Sequence, residues 1–253
     1  MHFLKLLKIE RIKCKRSKII PFIFIAPILV VSSGVANLST YFTPEYTQAW
    51  PAMFIQSALL YAYYLLPFSM IVVCVMITGQ ENSHNGLLKM LALPVNRHTL
   101  SLAKFCILVF YLLMEILVFL AVFVIAGYIA VVTSGITETL PLSYLLKWCA
   151  GLFLTMLPSL SVMWMLTVLF EKPLLSVGLN LLLVIPGLLA GATPALFLYP
   201  YCYSGYLVSR SLQAFTTEVT ADTALQLFPF IPCAVLIFTL ALFISASRFC
   251  KQT

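Results

Sequence analysis

Long apolar runs alternate along the chain with short polar or turn-forming separators. Six runs reach the about 20 residues that a helix needs to cross a bilayer. They are Ile19–Leu38, Ala52–Thr78, Phe105–Val132, Trp148–Phe170, Leu174–Leu198 and Pro229–Phe249. The pattern predicts an all-α integral membrane protein, with six transmembrane helices forming one domain over 19–249. No repeat with a period of about 20 to 50 residues is visible, and the two three-span halves show no convincing similarity.

Residues 1–18 follow a different pattern. On a helical projection Phe3, Leu6, Leu7 and Cys14 fall on one side, and Lys5, Lys8, Lys15 and Arg16 cluster opposite. This predicts an N-terminal amphipathic helix in the membrane interface, its cations near anionic headgroups. Such a segment serves either as a simple positive anchor or as an elbow helix bracing the membrane domain. A secretory signal peptide is the rival reading, since Ser33, Gly34 and Ala36 imitate a cleavage site. The basic stretch is too long for one and five more spans follow.

Composition agrees with lipid as the solvent: 62% of the 253 residues are hydrophobic and only 9% are charged. Soluble domains carry about 25% charge, so an ordinary soluble enzyme is excluded. The net charge of +7 raises the question of nucleic acid, and the placement of the cations answers it. Thirteen of the 15 basic residues fall in the N-terminal segment, the second–third and fourth–fifth connections and the C-terminus, leaving Lys147 and Arg210 on the other side. That asymmetry orients the protein with both termini cytoplasmic and leaves no basic stripe for nucleic acid.

The seven cysteines have no CxxC spacing, His2, His84 and His98 form no HExxH pair, and no GxxxxGK[ST] loop occurs. No metal or cofactor site and no catalytic residues are expected, and ATP would have to be bound by a partner. Asp222 is the only aspartate, and no Ser, His and Asp set converges.

Two places hold polarity that orientation does not explain. The first is the connection 79–104. It opens with Gly79-Gln80-Glu81-Asn82-Ser83-His84-Asn85-Gly86, then sets Leu87, Leu88, Met90 and Leu91 in a short helical patch that stops before Pro94. Exposed leucines on a short helix seek a partner's groove, or else dip into the interface as part of a surface loop. The second is Glu115, about ten positions into the third span and near mid-membrane. A charge there costs roughly 2.5 kcal/mol or more. The carboxyl is therefore protonated and hydrogen-bonded in packing, or lines a substrate path.

Pro186-Gly187, Gly191 and Pro194 in the fifth span indicate either close helix approach or a broken helix. Pro173 suits the first turn of that span, after the tight turn Glu171-Lys172. Beyond it, Tyr199, Tyr201, Tyr203 and Tyr206 suit an interfacial aromatic belt.

The order of amphipathic N-terminus, two spans, Gln80 to Gly86, Leu93-Pro94-Val95 and then Arg97 and Lys104 resembles the permease subunits of ABC exporters. Among these it is most similar to the lantibiotic-immunity and antimicrobial-peptide permeases of Gram-positive bacteria. The resemblance covers the six-span architecture, and its specific residues lie within about 79–104. It implies that the connection holds a coupling helix docked in a cleft of an ATP-binding subunit, with Glu81, Asn82, Gly86, Leu87, Leu93 and Pro94 at or beside the contact and Leu88 and Leu91 on the same apolar patch. It further implies two ATP-binding cassette subunits, a second permease chain, identical or homologous, a bacterial plasma membrane, and an amphipathic peptide as cargo. An amphipathic drug or lipid as cargo, and a proton-coupled carrier in which Glu115 titrates, are the alternatives.

Overall fold

A computed structural model of the chain describes residues 3–15, 19–36, 49–82, 97–134, 140, 142–170, 172–191, 193, 197–216 and 227–249. They are almost entirely helical. In order come α1 (Phe3–Lys15), α2 (Ile19–Ala36), α3 (Ala49–Leu60), a π-helical turn (Tyr61–Leu65), α4 (Leu66–Asn82), α5 (Arg97–Ser134) and α6 (Leu142–Leu169). Then follow α7 (Pro173–Val184), α8 (Gly187–Ala190), a 3₁₀ turn (Pro200–Cys202), α9 (Tyr203–Thr216) and α10 (Leu227–Phe249). Six stretches among the described residues are long and apolar enough to cross a membrane: Ile19–Ala36, Gln56–Gly79, His98–Val132, Leu142–Leu169, Pro173–Ala190 and Phe230–Arg248.

The helices extend beyond what hydropathy marks. α5 starts at Arg97, eight residues before the apolar run. Leu100, Ala103, Ile107, Leu108 and Tyr111 continue one buried stripe through that start, so tertiary packing holds the helix where hydropathy falls. Its 38 residues reach about 57 Å, well beyond a hydrocarbon core of about 30 Å. α6 likewise begins at Leu142.

The fifth span is broken. Pro173 occupies the first turn of α7, as its fixed φ favours, but α7 ends at Val184. The Ile185-Pro186 turn leads into the single turn α8, and the chain then doubles back into the 3₁₀ turn and α9. A Cβ on Gly187 would lie 3.3 Å from the Tyr201 carbonyl oxygen, the closeness that the doubling back requires. The aromatic-belt expectation is corrected here. Tyr201, Tyr203 and Tyr206 are buried within the protein, because the returning segment folds inward against α7 and α10.

In hydrocarbon, helices are not driven together by exclusion from water, so close packing and small residues carry association. The centre is an aromatic stack from four helical segments. Tyr61 lies flat on Phe119 at 4.2 Å between ring centroids, and Trp148 and Phe123 flank Phe119 at 5.4 Å and 5.9 Å. Phe54 sets its edge on Trp148 at 5.1 Å. α10 lies at the rim, with Val235, Leu236, Leu240 and Phe243 exposed to the surroundings.

Gly127 on α5 marks one limit of this packing, since a Cβ there would overlap the Trp50 indole at 2.0 Å. Gly127→Leu is expected to expel Trp50 from its place beside Phe123, where the ring centroids are 6.0 Å apart, and to lower stability by about 1–3 kcal/mol, the usual penalty of overpacking. Thermal unfolding in detergent, followed by tryptophan emission, checks this; an unchanged midpoint contradicts the packing described.

Candidate functional site

Glu115 faces inward from α5 and is fully buried. Across from it, α4 presents Ser69, whose Oγ lies 2.5 Å from Glu115 Oε1 and 2.8 Å from the Leu66 carbonyl oxygen. A serine hydroxyl has one proton, and here it meets two acceptors. Both contacts are satisfied when the carboxyl is neutral and donates to Ser69 Oγ while Ser69 donates to Leu66. No basic group pairs with Glu115 among the described residues. Glu115 Oε2 has no hydrogen-bond partner there, nor does the hydroxyl of buried Tyr61.

The charges that do pair lie at the start of the chain. On α1 the buried positions are Leu6, Glu10 and Cys14, spaced by four residues along one face against α5. Leu7 packs partly on the core, whereas Phe3 stays exposed. Glu10 Oε1 takes the Lys13 ammonium at 2.8 Å, and Glu10 Oε2 takes the fully buried Lys104 of α5 at 3.5 Å. Arg11 lies over the Phe110 ring at 5.2 Å, within cation–π range. Burial, reinforced by Glu10, pushes the Cys14 thiol up to about 11, which leaves it protonated and unreactive near neutral pH.

Sequence reasoning did not find this clamp. The one acidic residue in a strongly basic segment, at i+4 from Leu6 and i−4 from Cys14, was the available signal.

Of the residues expected in the coupling connection, Glu81 and Asn82 are the last two of α4. Gly86, Leu87, Leu88, Leu91, Leu93 and Pro94 lie outside the described residues. α4 and α5 nevertheless lead into residues 83–96 from both sides, and the Glu10–Lys104 pair stands two turns into α5.

A second polar seam fixes the broken fifth span. Ser176 donates to Thr167 of α6 at 3.0 Å, Asn180 donates to the Ser176 carbonyl at 2.9 Å, and Tyr201 donates to Asn180 Oδ1 at 2.9 Å. Ser159 of α6 adds a 2.6 Å bond to the Pro200 carbonyl. Between α6 and α10 runs an open groove of about 340 Å³, lined by Leu154, Leu157, Tyr203, Phe230 and Phe238 among others. Among the described residues no group of three or more His, Cys, Asp or Glu side chains is placed to hold a metal ion.

A family model described as ABC-2 family transporter protein matches residues 6–187, from α1 through to the break in the fifth span. No curated protein matches the sequence.

Removing one partner of a buried ion pair costs about 3–5 kcal/mol, whereas replacing both by apolar residues of similar volume is close to neutral. Glu10→Gln is therefore expected to lower the melting temperature in detergent, and Glu10→Leu combined with Lys104→Met to restore it. Equal losses in the single and double variants would show that the pair does not hold α1 in place.

Proposed function

The chain belongs to the ABC-2 family of transporter proteins, and on that footing we propose that it is the membrane subunit of an exporter removing a lantibiotic or similar amphipathic antimicrobial peptide. Membership makes it the permease, the component without the ATPase site, and a partner of ATP-binding cassette subunits. The family match over 6–187 carries the transporter assignment, and the resemblance of 79–104 to antimicrobial-peptide permeases supports the cargo.

In this reading two ATP-binding subunits serve two permease chains, identical or homologous, in a bacterial plasma membrane with both termini cytoplasmic. Each ATPase contacts the 79–104 connection through Leu87, Leu88 and Leu91, flanked by Glu81, Asn82, Gly86, Leu93 and Pro94. Coupling needs a short rigid lever with an apolar tip, since a rigid element passes displacement on where a slack chain absorbs it. α4 and α5 enter the connection as continuous helices and so qualify as the arms of such a lever.

The unpartnered Oε2 of Glu115 is the observation that favours a second role, as a polar position on the transport path. Glu115→Gln keeps a neutral hydrogen-bonding side chain beside Ser69. If the residue serves packing alone, export in the variant stays at the parent rate and continues when the proton gradient is dissipated while ATP remains. Loss of export in an assembled variant would instead assign Glu115 to the path.

The main test replaces Leu87, Leu88 and Leu91 with Asp. Co-purification with the ATP-binding subunit and survival against a panel of antimicrobial peptides are both expected to fall at least tenfold. Unchanged assembly together with unchanged resistance would refute the coupling assignment. Intact assembly of the parent protein with no protection against any peptide would refute the cargo alone.

A further inference from the structure

The π-helical turn Tyr61–Leu65 has a local cause. Pro67 has no N–H, and its ring opposes the carbonyl four residues back, so a regular α-helix cannot run through this point undisturbed. The Leu66 N–H reaches back five residues to the Tyr61 oxygen instead of four. The Ala62 carbonyl thereby loses both of its ordinary donors: Leu66 is engaged with Tyr61, and Pro67 has nothing to donate. In a membrane interior such an oxygen needs a partner from elsewhere.

α9 supplies that partner. Ser204 Oγ donates to the Ala62 oxygen at 2.8 Å, and both residues are fully buried. The next residue, Gly205, lies so close to the bulge that a Cβ would stand 2.2 Å from the Tyr63 ring. One turn on, Ser209 gives its proton to the Gly205 carbonyl at 2.9 Å, so the 3.2 Å contact between Tyr63 Oη and Ser209 Oγ has tyrosine as donor. On α9 a donor in Ser204, a cradle in Gly205 and an acceptor for Tyr63 in Ser209 thus fit one irregular turn of the second span.

α4 runs 17 residues from the bulge to Asn82, about 25 Å, so the bulge stands nearly a bilayer's thickness from the 83–96 connection. A π-turn is also where a helix changes register, since moving it along the chain rotates the residues it passes by about 100°.

We infer that the Ser204–Ala62 contact is a latch, holding α9 closed while the second span keeps its π-turn and releasing it when the span changes register. This ties the segment 203–209 to movement arriving along α4 from the opposite membrane face. The latch stands whatever the cargo, and its test uses neither nucleotide nor partner.

The test is hydrogen–deuterium exchange of the full chain in nanodiscs, read over peptides spanning 203–209, with α6 as the internal reference. Ser204→Ala is expected to speed exchange over 203–209 about tenfold, the factor set by one buried hydrogen bond, with α6 unchanged. Pro67→Ala gives the second span an amide, lets the helix straighten and satisfies the Ala62 carbonyl internally. It is expected to speed exchange to the same extent, and Ser204→Ala in that background to add nothing. Parent-like exchange in Ser204→Ala, or effects that multiply in the double variant, would overturn the latch. Should Ser204→Ala not purify, Ser204→Cys takes its place in the same cycle.

Discussion

Hydrocarbon offers no hydrogen bonds, so every backbone polar group within it must find its partner in the protein, and an unmatched side-chain polar group is costly. This constraint explains why the described residues are almost wholly helical, and why their hydroxyls turn back on their own helices. Thr78 bonds to Cys74 and Val75, Thr155 to Gly151 and Leu152, Thr167 to Met163, and Thr239 to Val235 and Leu236. Groups with no such local solution hold the tertiary structure together. Glu115 is held by Ser69, the Ala62 carbonyl by Ser204, and the carbonyl oxygen of Asn180's side chain by Tyr201. Each of these contacts joins segments far apart in sequence, so the requirement for polar satisfaction also fixes which helices are neighbours.

Packing supplies the remainder. The stack of Tyr61, Phe119, Phe123 and Trp148 fills the middle of the bundle with flat surfaces that interlock without water being released. Glycines appear where rings or backbones must come close, as Gly127 does for Trp50 and Gly205 for Tyr63. At the N-terminal end the arrangement differs in kind. There a buried carboxylate paired with two lysines joins α1 to α5.

The six spans and the all-helical class were legible in the sequence because length and hydropathy in a bilayer are close to a direct readout of element type. Pro186-Gly187 also announced itself, although periodicity left close approach and breakage equally open; the helix is interrupted there, and Gly187 also lets the Tyr201 backbone come close. Less was legible of what the polar residues do. Glu115 stood out by depth, but Ser69, one of many serines, carries no mark of its role. Glu10 was hidden in a basic stretch whose total charge drew attention to its lysines, and Lys104 read as the end of a loop because hydropathy ignores what a helix packs against. Pro67 passed unremarked inside the second apolar run, and the donor that repairs the turn before it lies 142 positions away. The expected coupling residues from Gly86 to Pro94 fall outside the described residues, so for them the sequence pattern is what stands.

The clamp between α1 and α5 has a consequence for biosynthesis. Glu10 leaves the ribosome about ninety residues before Lys104, which at about 5–20 residues per second is a delay of roughly 5–20 s. Throughout that interval α1 has no α5 against which to bury Glu10, and the first two spans must enter the bilayer without it. The pair closes only when the third span has arrived beside the first two, so its formation marks the moment when the N-terminal half of the bundle is assembled.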